Sequence, residues 1–376
     1  MKYRRFGKTG LNLSVFSLGL MRCCYSEEQM YATVARALEL GVNHLEMARA
    51  YGDSELYLGR VLKRLQYPRE RVIITTKFIP VDKPQLYQQY LDESLRRLKV
   101  DYIDCVAIHG VNTWQHLELL TRDNSCLTVL QEAKEAGKIG HIGFSTHGTS
   151  DIIKATIETG LFEFVNLHYY FFFQRHNPII DLAYKMDLGV FIISPADKGG
   201  RLYQPPAKLQ QVCHPFHPLL LTYRFLLADK RITTLSMGPS NPEELDFPLS
   251  VADEDGKLTP EESAALEKIT TTLKHTLAAD YCAQCYQCLP CPEGINIPEI
   301  LRLRNLGVGL EMTEYAQYRY QMFENAGHWF WGKKGDKCTS CGDCLPRCPC
   351  NLNIPQLLQD AHTRFNGSPR RRLWED

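Results

Sequence analysis

The chain has 376 residues and is electrically balanced, with Lys+Arg 43 against Asp+Glu 43. Hydrophobic residues make up 44% and charged residues 23%, which is typical of a globular protein and excludes disorder, coiled coil and collagen. A balanced charge gives no electrostatic reason to expect nucleic acid or an anionic membrane as a partner, because both attract an excess of Lys and Arg. These values favour a role with small molecules.

The N-terminal segment carries charges with no apolar stretch behind them, and no later segment approaches the ~20 apolar residues of a membrane helix. We therefore expect a cytoplasmic protein without a membrane partner. The 14 cysteines are unevenly placed, because nine of them lie between Cys282 and Cys350. In a long chain without a secretion signal, such a cluster indicates metal binding rather than disulfides.

Strand-like and helix-like segments alternate to about residue 250, which predicts eight βα units. The strands are predicted at 15–20, 44–48, 72–78, 102–110, 139–147, 162–172, 190–196 and 232–238. Strands that are apolar on both faces are typical of a parallel sheet covered by helices, and eight such units predict a closed (β/α)8 TIM barrel. The runner-up is a doubly wound open sheet, but no G-x-G-x-x-G motif follows the first strand.

Local signals add detail to this barrel. Ser26 precedes the first helix as its N-cap, with Gln29 placed to complete a capping box. Gly7 and Gly10 flank a turn before the first barrel strand, so we expect a short hairpin that plugs the amino-terminal mouth. The connections at 111–125 and 197–217 read as loops that set substrate specificity, and they carry no interpretable motif.

The tail contains a duplicated cysteine motif, in which three cysteines two residues apart are followed by a Cys-Pro pair. Asn and Pro stand five and seven residues after the fourth cysteine in both copies. The pattern resembles that of two-cluster bacterial ferredoxins, in which the fourth cysteine of each motif ligates the other cluster. The resemblance implies one [4Fe–4S] cluster on Cys282, Cys285, Cys288 and Cys348, and a second on Cys338, Cys341, Cys344 and Cys291. Structural zinc is the alternative, although it needs only four thiolates.

A change in composition separates this tail from the barrel. Pro260 opens a helix that extends to about residue 276, and we place the domain boundary near residue 278. The predicted domains are a barrel over 1–277, a small, mainly helical, ferredoxin-like iron–sulfur domain over 278–366 and a frayed tail over 367–376.

Four polar residues stand at or just beyond the carboxyl ends of predicted strands, where chemistry lies in such barrels. They are Glu46 in the second strand, Tyr51 in the following loop, Lys77 at the end of the third strand and His109 at the end of the fourth. A lone Tyr or His there is more often a rim residue. An apolar strand that ends in TTK or AIH has no packing reason for a charged or titratable last residue. The four residues together therefore favour a catalytic role.

Segments around these residues resemble signatures of the aldo-keto reductase superfamily, in order: NHLEMARAYGDSELYLG, VIITTK, SLRRLKVDYIDCVAIHG and GKIGHIGFSTH. The resemblance covers residues 1 to about 275, and the tail resembles the ferredoxin-type extension of one bacterial branch. The resemblance implies a barrel that binds NADP(H), or less often NAD(H), in extended form without a Rossmann fold. It also implies a small-molecule aldehyde or ketone as substrate.

The resemblance further implies that Tyr51 is the general acid that protonates the carbonyl oxygen as hydride arrives. A free phenol has a pKa of ~10, so we expect the Lys77 ammonium to favour the phenolate and His109 to orient the substrate oxygen. The fourth member of this group is normally Asp, and here the matching residue is Glu46. Its extra methylene must be accommodated in a packed interior, where catalytic geometry tolerates little displacement.

The cofactor-binding positions implied by the resemblance are Gly19, Met21, Ser145, Thr146, Asn166, Ser194, Gly238, Ser240 and Glu244. Ser145 and Thr146 match the pair that holds the carboxamide, and Asn166 falls near a family Gln, with His168 as a possible substitute. Ile193 stands where many members stack an aromatic ring on the nicotinamide. No Lys or Arg follows Gly238 through residue 248, which leaves the choice between NADP(H) and NAD(H) open.

Two functions stay open at this point. The first is an enzyme whose barrel reduces a carbonyl while the clusters exchange single electrons with a ferredoxin or flavodoxin-like carrier. The second is a redox adaptor or sensor with a low-activity or inactive nicotinamide-binding barrel, which Glu46, Ile193 and the missing basic residues motivate. A third possibility is that the clusters only staple the tail.

Overall fold

The structure is a computed structural model that describes residues 1–369 of the chain. The predicted frayed tail covers 367–376, so its residues 370–376 lie outside the described part. Residues 367–369 follow the last helix without helix or strand.

The strands of the described residues form a two-stranded sheet and a closed barrel. They are β1 (Tyr3–Arg5), β2 (Asn12–Ser14), β3 (Phe16–Gly19), β4 (His44–Glu46), β5 (Ile73–Phe78), β6 (Ile103–His109), β7 (Ile139–Ser145), β8 (Phe164–Leu167), β9 (Gly189–Ile192) and β10 (Thr234–Met237). β3 to β10 are parallel and pair in sequence order, and β10 pairs with β3 to close the ring. The predicted (β/α)8 barrel is thereby confirmed, and the open doubly wound sheet is excluded.

Helices surround the barrel strands and make up most of the chain beyond them. They are α1 (Glu27–Glu39), α2 (Ser54–Leu65), α3 (Pro84–Leu98), α4 (Trp114–Thr121), α5 (Cys126–Glu135), α6 (Ser150–Glu158), α7 (Asn177–Lys185), α8 (Ala207–Cys213), α9 (Pro218–Leu227), α10 (Glu243–Leu249), α11 (Pro260–Leu277), α12 (Ile297–Gly309), α13 (Thr313–Tyr320) and α14 (Ile354–Phe365). α4 and α8 lie in the connections that the sequence predicts as loops. No helix of residues 1–369 is long and apolar enough to cross a membrane.

The start of α1 differs from the prediction in one contact. Ser26 caps the helix as expected, because its hydroxyl accepts a hydrogen bond of 3.1 Å from the Gln29 amide. The Gln29 side chain does not return to the cap. It donates instead to the carbonyl of Ser240, 2.8 Å away, so a tertiary contact replaces the second half of the predicted capping box.

The N-terminal hairpin of β1 and β2 closes the amino-terminal mouth of the barrel, as predicted. Phe6 and Leu13 are fully buried and pack in one cluster with Phe164, at the start of β8. Gly7 has φ +53°, and an added Cβ would lie 2.2 Å from the backbone nitrogen of Gly189, the first residue of β9. Only glycine allows this close approach of the hairpin to the strand.

A buried polar layer lies at the start of β4, just above this plug. His44 is fully buried, with its Nδ1 2.6 Å from the Ser17 hydroxyl and its Nε2 2.7 Å from the Thr75 hydroxyl. Burial lowers the pKa of His44 to about 3, and the Lys77 ammonium contributes to the decrease. The imidazole is therefore neutral in the folded protein at neutral pH.

The chain divides into two compact units. The first holds Met1–Gly199 and Tyr223–Lys257, and the second holds Gly200–Thr222 and the chain from Leu258 onward. The second unit includes α11, which packs against α8 and α12, so the units do not follow a division at residue 278. The division at 278 remains a prediction about which segments fold independently.

The duplicated Asn-Ile-Pro segments of the second unit have a common structural role. Asn296 and Asn353 are the N-cap residues of α12 and α14, and each helix starts at the following Ile with Pro in its first turn. α12 continues through Gly307 and ends at Gly309. An added Cβ at Gly307 would lie 2.6 Å from the Phe365 ring, so glycine permits the contact of α12 with α14.

The buried imidazole of His44 generates a pH-dependent stability. Its pKa is about 3 in the folded state and near 6.5 in the unfolded state, so only the unfolded chain gains the proton as the pH falls from 6.5 toward 3. We expect the free energy of unfolding to decrease across that window, by up to about 1.4 kcal/mol for each pKa unit. His44→Gln should flatten this decrease between pH 7 and pH 5, as measured by urea unfolding. The exposed His275 supplies the control, because His275→Gln should leave the slope unchanged.

Candidate active site

The four predicted catalytic residues lie together at the carboxyl ends of adjacent barrel strands. Glu46 is the last residue of β4, Lys77 is in β5 and His109 is the last residue of β6. Tyr51 is on the loop after β4, and that loop is attached to β5 because the Arg49 amide donates to the Lys77 carbonyl at 3.2 Å. Because β4 is short and the loop after it is held to β5, the phenol of Tyr51 lies over the barrel interior.

Lys77 is the centre of the group. Its side chain is 3% exposed, and its ammonium contacts the Glu46 carboxylate. The same nitrogen donates to the Met47 carbonyl at 2.9 Å and to the Tyr51 hydroxyl at 3.4 Å. Burial lowers the pKa of Lys77 well below its usual range, and the Lys198 ammonium lowers it further. The Glu46 carboxylate opposes this decrease, because an adjacent negative charge favours the ammonium form.

Glu46 reaches Lys77 despite its extra methylene relative to Asp. Its neighbour on β3 is Gly19, which pairs with it in the strand register. A Cβ added at Gly19 would lie 3.5 Å from the nearer carboxylate oxygen of Glu46 and 3.1 Å from the Met237 carbonyl oxygen. The contact with Glu46 would be of ordinary van der Waals length, so the tight limit on a side chain at position 19 comes from the Met237 carbonyl and the Ser236 hydroxyl.

The ring of His109 completes the group. It lies edge-on to the Tyr51 ring, with the ring centroids 5.7 Å apart and the planes at 82°. The imidazole is buried, whereas the Tyr51 side chain is partly exposed. A group that enters the barrel mouth over Tyr51 would therefore also meet His109.

The strand register extends this site toward three of the predicted cofactor positions. His109 pairs with Ser145 of β7, and Ser145 pairs with Asn166 of β8, so the three residues lie at one level of the barrel. Asn166 is fully buried, and neither its amide oxygen nor its amide nitrogen has a hydrogen-bond partner in the described part of the chain. A buried amide with two unused polar atoms fits a ligand that offers both a donor and an acceptor, as a carboxamide does.

The hydroxyl groups of Ser145 and Thr146 differ in the hydrogen bonds that they can still make to a ligand. The Ser145 hydroxyl oxygen accepts from the Gly110 amide at 3.1 Å, which leaves its proton for another acceptor. The Thr146 hydroxyl donates to the Val111 carbonyl at 2.7 Å and accepts from the Gly148 amide at 3.0 Å. The structure thus uses Thr146 to fix the loop after β7, and only Ser145 keeps a donor for a ligand.

His168 belongs to a row of polar groups and does not take the place of Asn166. Its Nε2 lies 3.1 Å from Nδ1 of His147, and its Nδ1 contacts the Tyr170 hydroxyl. Tyr170 donates to the carbonyl of Ile193 at 2.5 Å. Because that carbonyl only accepts, the row has a fixed direction, with His168 Nδ1 as the donor to Tyr170.

The remaining predicted cofactor positions lie on the loops after β3, β9 and β10, except Glu244, which is in the first turn of α10. The Met21 carbonyl accepts from the Cys24 thiol at 2.9 Å, and Ser194 adopts a left-handed φ of +46°. An added Cβ at Gly238 would meet no atom within 4 Å, so the backbone there is open to a ligand. The Ser240 amide donates to the Glu244 carboxylate at 2.9 Å.

The sequence analysis missed Arg22, which lies beside these positions. It follows β3, and its guanidinium donates to the Gly238 carbonyl at 2.9 Å and to the Ser240 hydroxyl at 2.6 Å. It also lies 3.5 Å from the Glu244 carboxylate. The closure of the barrel provides the signal that was available, because the loop after the first barrel strand must lie beside the loop after the eighth.

The cysteines of the second unit influence one another electrostatically within and between the two motifs, since the pKa of Cys288 is raised first by burial and also by Cys344 of the other motif. All 14 cysteines of the chain are free thiols. Burial, with smaller contributions from Cys285 and Cys348, raises the pKa of Cys282 to about 11. Burial also raises the pKa of Cys344, with added contributions from Cys338, Cys341 and Cys291.

Arg347 joins the second cysteine motif to the segment that carries Cys291 through one hydrogen bond, to the carbonyl of Pro290. Arg347 donates from Nε to the Asp343 carbonyl and from a terminal nitrogen to the Pro290 carbonyl, each at 2.9 Å. Cys291 and these residues line a cleft of about 520 Å³. Among residues 1–369, no group of three or more His, Cys, Asp or Glu side chains has the geometry of a metal site.

An eight-stranded parallel barrel with buried titratable residues at the carboxyl ends of its strands is a fold that many enzymes share. The model of the aldo/keto reductase family matches residues 16–271, more than half of the chain. The chain therefore belongs to the aldo/keto reductase family, and it is an oxidoreductase of the NAD(P)H-dependent aldo-keto reductase type.

Individual relatives agree with this family. L-galactose dehydrogenase of Arabidopsis thaliana is 26% identical over 288 residues, which is 65% of this chain and 86% of that protein. The NADH-specific methylglyoxal reductase of Escherichia coli is 30% identical over 190 residues, 44% of this chain, so the chain spans 56% of that relative. An aldo-keto reductase structure from Bacillus halodurans, in its holo form, has the same fold with a TM-score of 0.62 and 22% identity. The match covers 71% of this chain and 96% of that one.

The ion pair of Lys77 and Glu46 yields a stability prediction. Lys77→Met leaves the Glu46 carboxylate buried without its cation, which should lower the free energy of unfolding by about 3–5 kcal/mol. The double variant Lys77→Met, Glu46→Gln should be less destabilised than Lys77→Met, because no uncompensated charge remains. Urea unfolding measures both. The exposed pair Lys154 and Glu158 is the control, and Lys154→Met should cost under about 1 kcal/mol.

Proposed function

We propose that this chain reduces a small aldehyde or ketone with Tyr51 as the proton donor. The observation that carries the proposal is the hydroxyl of Tyr51 within 3.4 Å of the buried Lys77 ammonium, with the His109 ring against the phenol. The nicotinamide cofactor, when bound, supplies the hydride to the carbonyl carbon. Tyr51 then gives its hydroxyl proton to the carbonyl oxygen, and the products are an alcohol and the oxidised cofactor.

Lys77 stabilises the phenolate that remains on Tyr51 after the proton has left. An ammonium acts strongly here because its site is buried and the effective dielectric constant is low. Glu46 holds the lysine in its charged form and fixes its position. His109 is the candidate for orienting the substrate oxygen, since it is the polar side chain that packs against the Tyr51 ring.

The residues at the barrel mouth fit a nicotinamide. Asn166 offers an unused donor and an unused acceptor, and Ser145 keeps a hydroxyl proton; both match a carboxamide. Gly238 leaves backbone exposed for a pyrophosphate or ribose. Ile193 gives no aromatic surface for stacking, and the Thr146 hydroxyl is engaged within its own loop. We therefore keep Asn166 and Ser145 as the principal carboxamide ligands.

The substrate class rests on chemistry and on relatives. The relatives are named for sugar or small dicarbonyl chemistry, L-galactose dehydrogenase and methylglyoxal reductase among them. We propose a small polar carbonyl compound of this kind for the barrel. A cytoplasmic location stays a prediction from the sequence.

We further propose that the cysteine-rich part holds two [4Fe–4S] clusters with crossed ligands. The support is eight free thiols arranged in two motifs of four, and the crossed pairing itself is what the resemblance to two-cluster ferredoxins implies. Such clusters supply single-electron transfer when bound. A ferredoxin or flavodoxin-like carrier is then the expected redox partner.

A hydride carries two electrons, whereas a [4Fe–4S] cluster transfers one. Coupling carbonyl reduction to the clusters therefore needs either a group that converts between one-electron and two-electron steps or the paired use of both clusters. The alternative function, a redox adaptor whose barrel binds nicotinamide without turnover, avoids that need. It predicts tight cofactor binding and no reduction of any carbonyl.

Tyr51→Phe tests the proton donor. Removing the hydroxyl leaves no proton for the carbonyl oxygen, so we expect kcat for aldehyde reduction to fall by about 10²-fold or more while dinucleotide binding is kept. The assay is anaerobic oxidation of NADH and NADPH with a panel of aldehydes that includes methylglyoxal. Tyr25→Phe is the matched control, because Tyr25 is 86% exposed. Nicotinamide binding by the unaltered protein with no turnover on the whole panel would favour the adaptor.

Iron and sulfide analysis of anaerobically purified protein tests the clusters. We expect about eight iron atoms per chain and a broad absorbance near 400 nm. Cys285→Ala should lose about half of the iron, whereas Cys350→Ala, which changes an exposed cysteine outside both quartets, should lose none. Colourless, iron-free protein that binds zinc would refute the proposal. Unchanged carbonyl reduction in Cys285→Ala would indicate that the clusters only stabilise the fold of the cysteine-rich segment.

A further inference from the structure

We propose that Arg22 and Glu244 form a charge pair that makes the barrel select NADH over NADPH. The inference rests on the proposed function, in that the dinucleotide extends from Asn166 toward the loops after β3 and β10. The sequence leaves the choice between NADH and NADPH open, because residues 239–248 contain no Lys or Arg. The pair of Arg22 and Glu244 supplies a basis for that choice.

The contacts of Arg22 restrict its use as a phosphate ligand. One terminal nitrogen donates to the Gly238 carbonyl at 2.9 Å, and the other donates to the Ser240 hydroxyl at 2.6 Å. The first of these nitrogens is also 3.5 Å from the Glu244 carboxylate. Both ends of the guanidinium fork are therefore used within the protein, and its charge is compensated by an adjacent anion.

Glu244 is fixed in its place by the same loop. Its carboxylate accepts from the Ser240 amide at 2.9 Å and from the Ser240 hydroxyl at 3.1 Å. The Arg22 and Glu244 side chains are 40% and 32% exposed, so a ligand can reach the pair. A carboxylate held in this way in the first turn of α10, next to the loop of Gly238, is an acceptor for a hydroxyl group.

The two cofactors differ only at the ribose 2′ position. NADH has a hydroxyl there, which can donate to the Glu244 carboxylate, whereas NADPH has a phosphate with nearly two negative charges and no donor. The phosphate would meet the Glu244 charge, and Arg22 would have to leave its three partners to compensate. An acidic residue near the ribose thus acts against the phosphate as well as for the hydroxyl.

The alternative is that Arg22 releases Glu244 and binds the 2′-phosphate. In that case NADPH would bind more tightly and Arg22 would be the cation that the segment after Gly238 lacks. The two assignments predict opposite preferences of the unaltered protein, NADH over NADPH in the first and NADPH over NADH in the second.

Equilibrium binding of NADH and NADPH to the full chain, prepared without oxygen, decides between them. The readout is the quenching of protein fluorescence, which needs no turnover. We expect NADH to bind about tenfold more tightly than NADPH at low salt, and the ratio to shrink as salt screens the repulsion. Glu244→Gln keeps the acceptor oxygen and removes the charge, so NADPH binding should tighten at least about fivefold. In that background Arg22→Met should reverse the gain, because the freed guanidinium is lost.

Glu243→Gln is the matched control, since it makes the same charge change at the exposed neighbouring residue and should leave the ratio unchanged. Tighter binding of NADPH than of NADH by the unaltered protein would overturn the inference alone. An equal effect of Glu243→Gln and Glu244→Gln would do the same. Failure of both dinucleotides to bind would overturn the proposed function, and the inference with it.

Discussion

The Lys77 ammonium lies inside the barrel, where burial favours the neutral amine, and the Glu46 carboxylate keeps it charged. This balance determines what the open end of the barrel can do. A neutral amine would give the Tyr51 oxygen no positive partner, and an unpaired carboxylate would destabilise the interior. The ion pair therefore couples the stability of the barrel to the chemistry at its mouth.

Closure of the barrel explains where the other polar residues meet. Because β10 pairs with β3, side chains more than two hundred positions apart in the chain become neighbours, as Arg22 and Gly238 do. The same closure leaves two mouths, and the N-terminal hairpin fills one of them with Phe6 and Leu13. Tyr51 and Asn166 lie toward the other mouth, at the carboxyl ends of the strands. The ring of strands thus defines the position of the candidate site.

The sequence was sufficient for features that local pattern controls. The strands were found because they are apolar on both faces, and Glu46, Tyr51, Lys77 and His109 were found because polar residues end or follow such strands. Features that depend on distant partners were missed. Gln29 has the spacing of a capping box, but a carbonyl 211 positions away takes its side chain. Arg22 carries no local signal, and α4 and α8 were read as loops because their short segments lack an apolar period. The role of Thr146 also changed, since its hydroxyl binds the loop that carries it.

The Asn166 amide has a consequence for ligand binding. Its oxygen and nitrogen have no hydrogen-bond partner in the described part of the chain, and a buried amide in that situation costs free energy comparable to a few lost hydrogen bonds. A dinucleotide that satisfies both atoms recovers that free energy on binding, so we expect occupancy of the site and resistance to heat to rise together.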